Sequence, residues 1–442
     1  AADFPVRLVE SGPAGGAFFA ANIAARYGLG KVLSFDMGGT TAKICLIKNQ
    51  TPKTSRVFEV ARTYRFKKGS GMPISIPVID MVEIGAGGGS LAHVDAMRQI
   101  RVGPESAGSE PGPACYGCGG DKPAVTDADL VLGKLDADNF AGGSIQLYKD
   151  QSVAALETVL GKTLDMDART VAFGVAEVVD ENMANAARVH AVENGEDLSQ
   201  YTMIAFGGAA PLHAGRLCEK LGVERMLVPP GAGVGSAIGF LRAPFSFEAN
   251  RSVYMKLSEF DAPRIQILLA ALQKEATGFV RSCDAMAEIL SEFKVYMRYS
   301  GQGWEIPVVL TRDQALNPDA ATFERLFEED YAKLFGRTVQ GLNIEITVWS
   351  VNATTPPETV DKVAQHVGGT TARMNGNGLF FDPAMDQFVS CSRYDRSKLE
   401  VGNFIEGPGV VFEDETTIII PSSRNAIRQP DGCIDIMLKG KG

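Results

Sequence analysis

The 442-residue chain is 45% hydrophobic and 22% charged, the composition of an ordinary globular protein, and it is long enough for at least two domains. Its 53 acidic and 43 basic residues give a net charge of -10, which argues against nucleic acid or an anionic membrane as a partner. No signal peptide or apolar run of about 18 residues is visible, and the seven cysteines are odd in number, so we expect a cytoplasmic protein with reduced thiols.

The chain begins at Ala1, without an initiator methionine, in a strand-like stretch over 3–9. This start indicates a fragment or a processed or split subunit. Residues 10–16 predict a turn that leads into an alanine-rich helix over 17–27, which Gly28 ends. The amides at the start of this helix could face a phosphate, or the segment could be only a tight corner between strand and helix.

A hairpin of two apolar strands is predicted around Asp36. Gly38 and Gly39 allow a tight turn whose N–H groups face outward, and Thr40 and Thr41 add hydroxyl donors. Asp36 adds a carboxylate at the mouth, so the turn predicts a phosphate cradle with a place for Mg²⁺. Because a strand rather than a helix follows the turn, the fold implied is neither a Rossmann fold nor a P-loop fold.

The segment over about 48–170 is irregular and rich in glycine and proline. Strands are predicted over 56–66 and 74–82, and residues 84–90 form either a flexible loop or a second backbone cradle. The Gly/Pro density over 102–120 is unusual for a plain connector, since long ordered loops are usually functional.

Two helices are predicted next, a short one over 126–132 with Thr126 as its N-cap, and the longest one over 170–194. The long helix leads to a second glycine element, in which a strand ends at Gly207 and Gly208 and opens into a helix over 214–221. This is the form of the adenosine-holding loop in the superfamily of sugar kinases, heat-shock chaperone ATPases and actin. His213 lies beside this loop, where packing or capping is its expected role.

The last part of the chain has a different character. A strand over 225–230 and a small-residue helix are followed, from about residue 250, by a predicted helix over 264–281 and several strands. We therefore predict an α/β domain over 1–249 and a separate β-rich α+β domain over 250–442. The strands expected in the second domain lie over 293–299, 304–310, 342–352, 401–420 and 433–438.

With these motifs in place, the chain resembles the A-type, ATP-binding component of the hydantoinase, 5-oxoprolinase and acetone or acetophenone carboxylase family. The matching residues span nearly 5–245 and include Ser11–Gly16, Phe35–Thr40, Glu83–Ser90, Val102–Gly108, Pro111–Gly117, Val125–Ala128, Glu181–Met183, Phe206–Ala209 and Pro211–Ala214. A looser match continues in Arg298–Gly303 and Ile405–Gly409.

The resemblance implies an actin-like ATPase module, with the Gly/Pro-rich segment as an insertion, in which ATP phosphorylates an amide or ketone oxygen. The activity it implies is ATP-dependent hydrolysis of a small cyclic amide, completed by a hydantoinase B-type subunit in a hetero-oligomer. The implied residues are Asp36 for Mg²⁺ and catalysis, Lys43 for catalysis, Gly38, Gly39, Thr40 and Thr41 for phosphates, and Gly207, Gly208 and Ala209 for adenosine.

Two departures from the family pattern stand out. The family's first phosphate hairpin, another Asp-x-Gly-Gly-Thr, is absent from this chain, and half a clamp should bind ATP poorly. Many members also carry an acid where this chain has Lys43. A lysine there could contact phosphate directly or could simply point to solvent.

Three other functions stay open at this point. The first is an A-type component of an ATP-dependent carboxylase acting on a ketone. The second is a non-catalytic actin-like scaffold that has lost turnover. The third is a sugar kinase, which the Gly/Pro-rich insertion and the β-rich tail do not fit.

A metal site is a further hypothesis. Cys115 and Cys118 have the spacing of half a zinc site, which His93, Asp95 and Glu105 could complete for Zn or Mn. His93 and Asp95 could instead form a divalent-metal pair or an acid/base pair. The alternative is that these are polar groups satisfied within loops.

Overall fold

The computed structural model describes residues 11–60 and 70–440. The chain divides into two compact units, one built from residues 1–242 and 360–442 and the other from residues 243–359. The strand predicted over 3–9 lies outside the described residues.

The described helices of the first unit are α1 (Ser11–Tyr27), α2 (Val125–Val131), α3 (Lys149–Leu156), α4 (Lys162–Leu164), α5 (Ala168–Glu193), α6 (Ala210–Leu221) and α7 (Gly235–Arg242). Those of the second unit are α8 (Ala262–Cys283), α9 (Arg312–Leu316) and α10 (Ala320–Phe335). The helices predicted over 126–132, 170–194, 214–221 and 264–281 correspond to α2, α5, α6 and α8.

The strands up to residue 310 are β1 (Lys31–Met37), β2 (Ala42–Lys48), β3 (Thr51–Pro52), β4 (Thr54–Val60), β5 (Met72–Ile79), β6 (Met81–Ile84), β7 (Ser90–Val94), β8 (Ile100–Ser106), β9 (Thr202–Phe206), β10 (Arg225–Val228), β11 (Ser246–Arg251), β12 (Met255–Lys256), β13 (Leu290–Tyr299) and β14 (Ile306–Leu310). The later strands are β15 (Ile344–Thr354), β16 (Thr370–Thr371), β17 (Gly376–Asp382), β18 (Gln387–Asp395), β19 (Asn403–Glu406), β20 (Gly409–Phe412), β21 (Thr417–Ile420), β22 (Arg424–Arg428) and β23 (Ile434–Leu438).

Ten of the described strands form the main sheet of the first unit, in the order β16-β19-β22-β23-β10-β9-β1-β2-β3, with β6 paired to β2. Strands β1, β9 and β10 are parallel, and their buried apolar residues belong to one large core. Because the carboxyl ends of parallel strands meet at the same edge of a sheet, the segments after Met37, Phe206 and Val228 emerge side by side.

The end of the chain returns to this sheet. Strand β23 pairs antiparallel with β10, with Arg225 opposite Met437 and Val228 opposite Ile434. Residues 360–442 therefore belong to the first unit, whereas the sequence pattern predicted one separate domain over 250–442. The difference arises because alternating apolar residues predict a strand but do not specify its partner.

Helix α1 begins at Ser11, although residues 10–16 predicted a turn. The glycines of this segment serve close packing. A Cβ on Gly15 would lie 2.3 Å from the carbonyl oxygen of Ser236, and one on Gly239 would lie 1.9 Å from the carbonyl oxygen of Gly15. The small residues thus allow α1 and α7 to approach each other at backbone distance.

The segment over 48–170 contains regular structure besides its loops. Strand β4 pairs with β5, and β7 pairs with β8. The strand predicted over 56–66 coincides with β4 as far as Val60, and its remainder lies outside the described residues.

A further sheet, β17-β18-β20-β21, completes the first unit.

The second unit is a sheet of strands β11-β15-β13-β14, with β12 beside β15, that packs with helices α8 and α10. Sequence analysis missed α10, although Phe323, Phe327 and Tyr331 recur at helical spacing and are buried. The β-rich interpretation of this region was therefore incomplete.

Candidate functional site

The β1–β2 hairpin forms as its sequence predicts. The strands are antiparallel, and Asp36 lies directly opposite Lys43 in the ladder. The Gly38 amide donates to the Thr41 carbonyl at 3.1 Å, which closes the turn. A Cβ on Gly38 or Gly39 would meet no heavy atom within 4 Å, so the outer side of the turn is open to a ligand.

Asp36 is partly buried beneath this turn. Burial raises the pKa of its carboxyl group, opposed by a hydrogen bond from Ser236 and by the charge of Lys43. The Ser236 hydroxyl donates to Asp36 Oδ2 at 2.7 Å. A carboxylate in this setting gains from a nearby cation, because the cation restores the stabilisation that water gives the free anion.

Lys43 remains at the turn instead of extending into solvent. Its Nζ donates to Thr41 Oγ1 at 2.8 Å and lies 3.6 Å from Glu83 Oε1. The ammonium group therefore adds positive charge beside the proposed phosphate cradle, which favours the first of the two roles considered for Lys43.

The glycine loop over 85–89 supports the hairpin from one side. The amide of Gly88 donates to the carbonyl of Gly38 at 3.0 Å, and that of Gly89 donates to Gly39 at 2.7 Å. A Cβ on Gly87 would lie 2.5 Å from the Gly39 carbonyl carbon. Two amides of this loop therefore donate hydrogen bonds to the turn, so residues 85–89, the brace loop, support the proposed phosphate-binding turn.

The second predicted glycine element meets the hairpin directly. The Ala209 amide donates to the Met37 carbonyl at 3.0 Å. Gly207 has a φ of 96°, and a Cβ there would lie 2.6 Å from Asp36 Oδ1. Because β1 and β9 are parallel neighbours, the structure brings together all the predicted nucleotide residues: Gly38, Gly39, Thr40, Thr41, Gly207, Gly208 and Ala209, with Asp36 and Lys43.

A cavity of about 520 Å³ lies on the same sheet edge, next to the second glycine element. Its lining includes Pro230, Arg396, Glu413, Glu415 and Arg428. Thr416, the residue after Glu415, donates its hydroxyl proton to the Gly208 carbonyl at 2.8 Å. The cavity is large enough for a nucleoside-sized group and carries several acceptor oxygens.

The two arginines of this cavity differ in how many of their donors are hydrogen-bonded. Arg396 Nη1 lies 2.7 Å from Glu413 Oε1, and its Nη2 donates to the carbonyls of Val228 and Gly432. Burial raises the pKa of Glu413. The Nε of Arg428 is buried and has no hydrogen-bond partner among the described residues, which leaves that donor available to a bound group.

Sequence analysis missed the structural role of Asp127. This fully buried carboxylate accepts hydrogen bonds from the amides of Ala114, Cys115 and Ala124 at 2.8–3.1 Å and from the Ser152 hydroxyl at 2.7 Å. It ties the Gly/Pro-rich loop to the start of α2. The N-cap of α2 is Ala124, whereas Thr126 was predicted; the Thr126 hydroxyl donates instead to the Gly88 carbonyl.

His213 is the centre of a buried charged cluster, a stronger role than the expected packing or capping. Its Nδ1 lies 2.8 Å from Asp180 Oδ1 and its Nε2 lies 3.1 Å from Asp129 Oδ2, while Lys134 Nζ lies 2.8 Å from Asp129 Oδ1. Burial lowers the pKa of His213, but Asp129 and Asp180 outweigh it and raise the pKa to about 9. The cluster joins helices α2, α5 and α6.

The predicted metal group does not form. Asp95 is paired with Arg101 at 2.7 Å, Cys115 is buried against Asp127, and Cys118 is exposed. Within residues 11–60 and 70–440, no three His, Cys, Asp or Glu side chains are grouped so that they could hold a metal ion. A short Cys spacing in a Gly/Pro-rich loop is therefore a poor predictor of zinc here, because only one thiol faces solvent.

A sequence model of the family described as hydantoinase/oxoprolinase matches residues 1–249, and that of the hydantoinase/oxoprolinase C-terminal domain matches residues 262–429. The chain is 30% identical to the caprolactamase alpha subunit of Pseudomonas jessenii over 98% of its own length. It is 26% identical to the acetone carboxylase beta subunit of Xanthobacter autotrophicus over 94% of its length.

Solved structures agree with this relationship. The structure of the ATP-dependent caprolactamase from Pseudomonas jessenii matches with a TM-score of 0.77 and 27% identity, over 98% of this chain and 61% of that one. The chain spans only 62% of the caprolactamase alpha subunit and 59% of the acetone carboxylase beta subunit. In the part of the chain that the structure describes, no helix has both the length and the apolar character needed to cross a membrane.

Proposed function

The chain belongs to the hydantoinase/oxoprolinase family, and from this membership we propose that it is the ATP-binding part of an ATP-dependent enzyme that hydrolyses a small cyclic amide. One observation carries the proposal. Asp36 and Gly207 are 171 residues apart in the sequence, yet their two glycine elements meet at the partly buried carboxylate of Asp36. The relatives named as caprolactamase support cyclic amides as the substrate class.

The residues present fit Mg-ATP. The open outer side of the Gly38–Thr41 turn has room for phosphates, with the hydroxyls of Thr40 and Thr41 as donors and Lys43 as a counter-charge. Asp36 would hold Mg²⁺ directly or through water. Bound there, Mg-ATP would supply a phosphoryl group to the amide oxygen, which would make the amide carbon a better electrophile for water, with the ring nitrogen as the group that leaves.

We assign the nucleoside to the second glycine element and its neighbouring cavity. Gly207, Gly208 and Ala209 bring backbone close to the hairpin, and the cavity beyond them is lined by Glu413 and Glu415. Carboxylates accept hydrogen bonds, and the exocyclic amine of adenine and the ribose hydroxyls donate them. This arrangement supports the actin-like ATPase interpretation of the α/β unit.

We further propose that a B-type subunit completes the enzyme in a cytoplasmic hetero-oligomer. The relatives are named as an alpha and a beta subunit, which supports a partner chain. The residues of this chain would bind and orient ATP.

The direct test is equilibrium binding of radiolabelled ATP with Mg²⁺ to the full chain at up to millimolar nucleotide. Wild type should bind, and Asp36→Asn should bind at least about tenfold more weakly because the carboxylate that attracts the metal is gone. Asp121→Asn, at an exposed acid away from the hairpin, is the matched control and should bind like wild type. Equal binding by Asp36→Asn, or no binding by folded wild type even with the partner subunit, would favour a non-catalytic scaffold.

A carboxylase acting on a ketone is the second candidate, favoured by the match to the acetone carboxylase beta subunit. ATP turnover that requires bicarbonate as well as a ketone would support it. Turnover stimulated by a cyclic amide without bicarbonate would support the hydrolase.

A further inference from the structure

A second cavity, of about 380 Å³, lies where the β7–β8 hairpin packs against helix α5. Two of the sequence motifs meet there, Val102–Gly108 and Glu181–Met183, and neither has a role in the nucleotide site described above. The lining residues are His93, Arg101, Val102, Gly103, Pro104, Glu105, Val178 and Asn182. The volume lies within the usual range for small-molecule pockets.

The lining of this cavity combines apolar and polar side chains. Val102 is buried, and Val178 and Pro104 add further hydrocarbon surface. Asn182 supplies a carboxamide whose side chain makes no hydrogen bond to another described residue, although it is partly buried. An unengaged amide beside an apolar wall suits a ligand that is mostly hydrocarbon with one polar edge.

The charges at this cavity balance. Arg101 and Glu105 contribute one positive and one negative group. Arg101 is already engaged, because its Nε donates to Asp95 at 2.7 Å and its Nη2 donates to Gln99 at 2.9 Å. Glu105 is exposed to solvent, so neither of these two charges needs a ligand to neutralise it, and an uncharged ligand fits the lining.

One glycine loop links this cavity to the phosphate hairpin. A Cβ on Gly103, in the cavity wall, would lie 2.3 Å from the Gly85 carbonyl oxygen. Gly85 begins the brace loop, whose Gly88 and Gly89 amides donate to the carbonyls of Gly38 and Gly39. The cavity wall and the turn thus contact opposite ends of the same short loop.

We propose that this cavity binds a small uncharged cyclic amide, with its amide edge on Asn182 and its ring methylenes on Val102 and Val178. The amide of a small lactam ring is held cis, so its C=O and N–H point the same way. A carboxamide presents a donor and an acceptor side by side and matches that edge with two hydrogen bonds. A ketone of the same ring size can accept only one of them.

This assignment rests on the proposed function, because it names the site of the amide that ATP would activate. It makes a separate claim, since lactam binding in this cavity needs neither ATP nor Mg²⁺. The two claims can therefore fail independently.

The test is ligand-observed NMR titration of the full chain with ε-caprolactam and, in parallel, with cycloheptanone, the ketone of the same ring size, without nucleotide. Wild type should bind the lactam at least about threefold more tightly than the ketone. Asn182→Leu should weaken lactam binding by about tenfold and leave ketone binding within about threefold. Asn185→Leu is the matched control, because Asn185 lies one turn further along α5 and is exposed; it should bind both ligands like wild type.

A second variant guards against a change in folding. Asn182→Asp keeps the shape but removes the donor, and it should also weaken lactam binding while the far-UV circular dichroism stays that of wild type. The assignment is overturned if folded Asn182→Leu binds lactam like wild type, or if Asn185→Leu loses binding equally. Mg-ATP binding without lactam binding would overturn this assignment alone, and lactam binding without Mg-ATP binding would overturn only the proposed function.

Discussion

Asp36 and Lys43 lie opposite each other in the β1–β2 hairpin. They form the second residue pair from the turn, next to the pair of Met37 and Ala42. The carboxylate is the metal-attracting group of the proposed site, and the ammonium group lies 2.8 Å from the Thr41 hydroxyl. In the proposed site, Asp36 would attract Mg²⁺ and Lys43 would contact a phosphate.

Lys43→Met should therefore weaken Mg-ATP binding by about tenfold, because a phosphate loses a charged partner while the strand keeps its shape. Binding of adenosine, which has no phosphate, should change much less. Equilibrium binding of both ligands measures this. Lys48→Met, on the same strand but paired with Glu196, is the control, and equal losses in the two variants would show that Lys43 has only a structural role.

Gly207→Ala should lower the stability of the protein far more than alanine at another glycine with a positive φ. Gly207 has a φ of 96°, and a Cβ would lie 2.5 Å from the Met37 carbonyl oxygen. Gly195 has a φ of 67° and open space around it. We expect Gly195→Ala to cost about 1 kcal/mol from backbone strain alone and Gly207→Ala about 3 kcal/mol or more from strain plus overlap. Urea unfolding measures the free energy of unfolding of both variants. Similar losses of stability would contradict the close approach of Gly207 to the Met37 carbonyl.

How much of this site could be predicted depends on the range of the interactions. The hairpin at Asp36 and the loop at Gly207 follow from local rules, since tight turns and strand ends need glycine there. The two elements meet because β1 and β9 are parallel neighbours, which the sequence analysis did not specify. By contrast, the pairing of β23 with β10 links residues about 200 apart, and no local pattern encodes it.

The missed residues have a common property. Apart from Ala124, the hydrogen-bond partners of Asp127 and His213 lie 12 to 84 residues away, so their spacing carries no periodic signal. The motif around Asp127 and the Gly/Pro-rich loop around Cys115 could have been linked by asking what satisfies the loop's buried amides. Helix α10 is different, because the spacing of Phe323, Phe327 and Tyr331 is a local pattern that predicts a helix.

Asp127→Asn should destabilise the first unit by about 2–4 kcal/mol, because an amide cannot accept four hydrogen bonds from the donors that surround this carboxylate. One of its two oxygens becomes an NH₂ group that faces N–H donors. Ser152→Ala removes only one of the four donors and should cost about 1 kcal/mol. Urea unfolding gives both values, and a Ser152→Ala loss as large as that of Asp127→Asn would show that the backbone amides matter little.

The cluster around His213 predicts a dependence of stability on pH. Facing this imidazole are Asp129, Asp180 and Lys134. Its pKa rises from 6.5 to about 9 on folding, so the folded state binds the proton more tightly than the unfolded state. A raised pKa adds stability that is fully present below about pH 6.5 and is lost as the pH rises through about 9. The shift corresponds to stabilisation on the order of 3 kcal/mol.

The measurement is the free energy of unfolding in urea at several pH values from about 6 to about 10, for wild type and His213→Gln. Glutamine cannot carry the charge that balances Asp129 and Asp180, so the variant should be less stable at low pH. Because all other titrating groups are shared, the gap between the two proteins isolates the imidazole, and it should narrow steadily above about pH 6.5. A gap that stays constant or widens toward high pH would mean that His213 is neutral in the folded protein, and its two aspartates would then depend on Lys134 alone for their counter-charge.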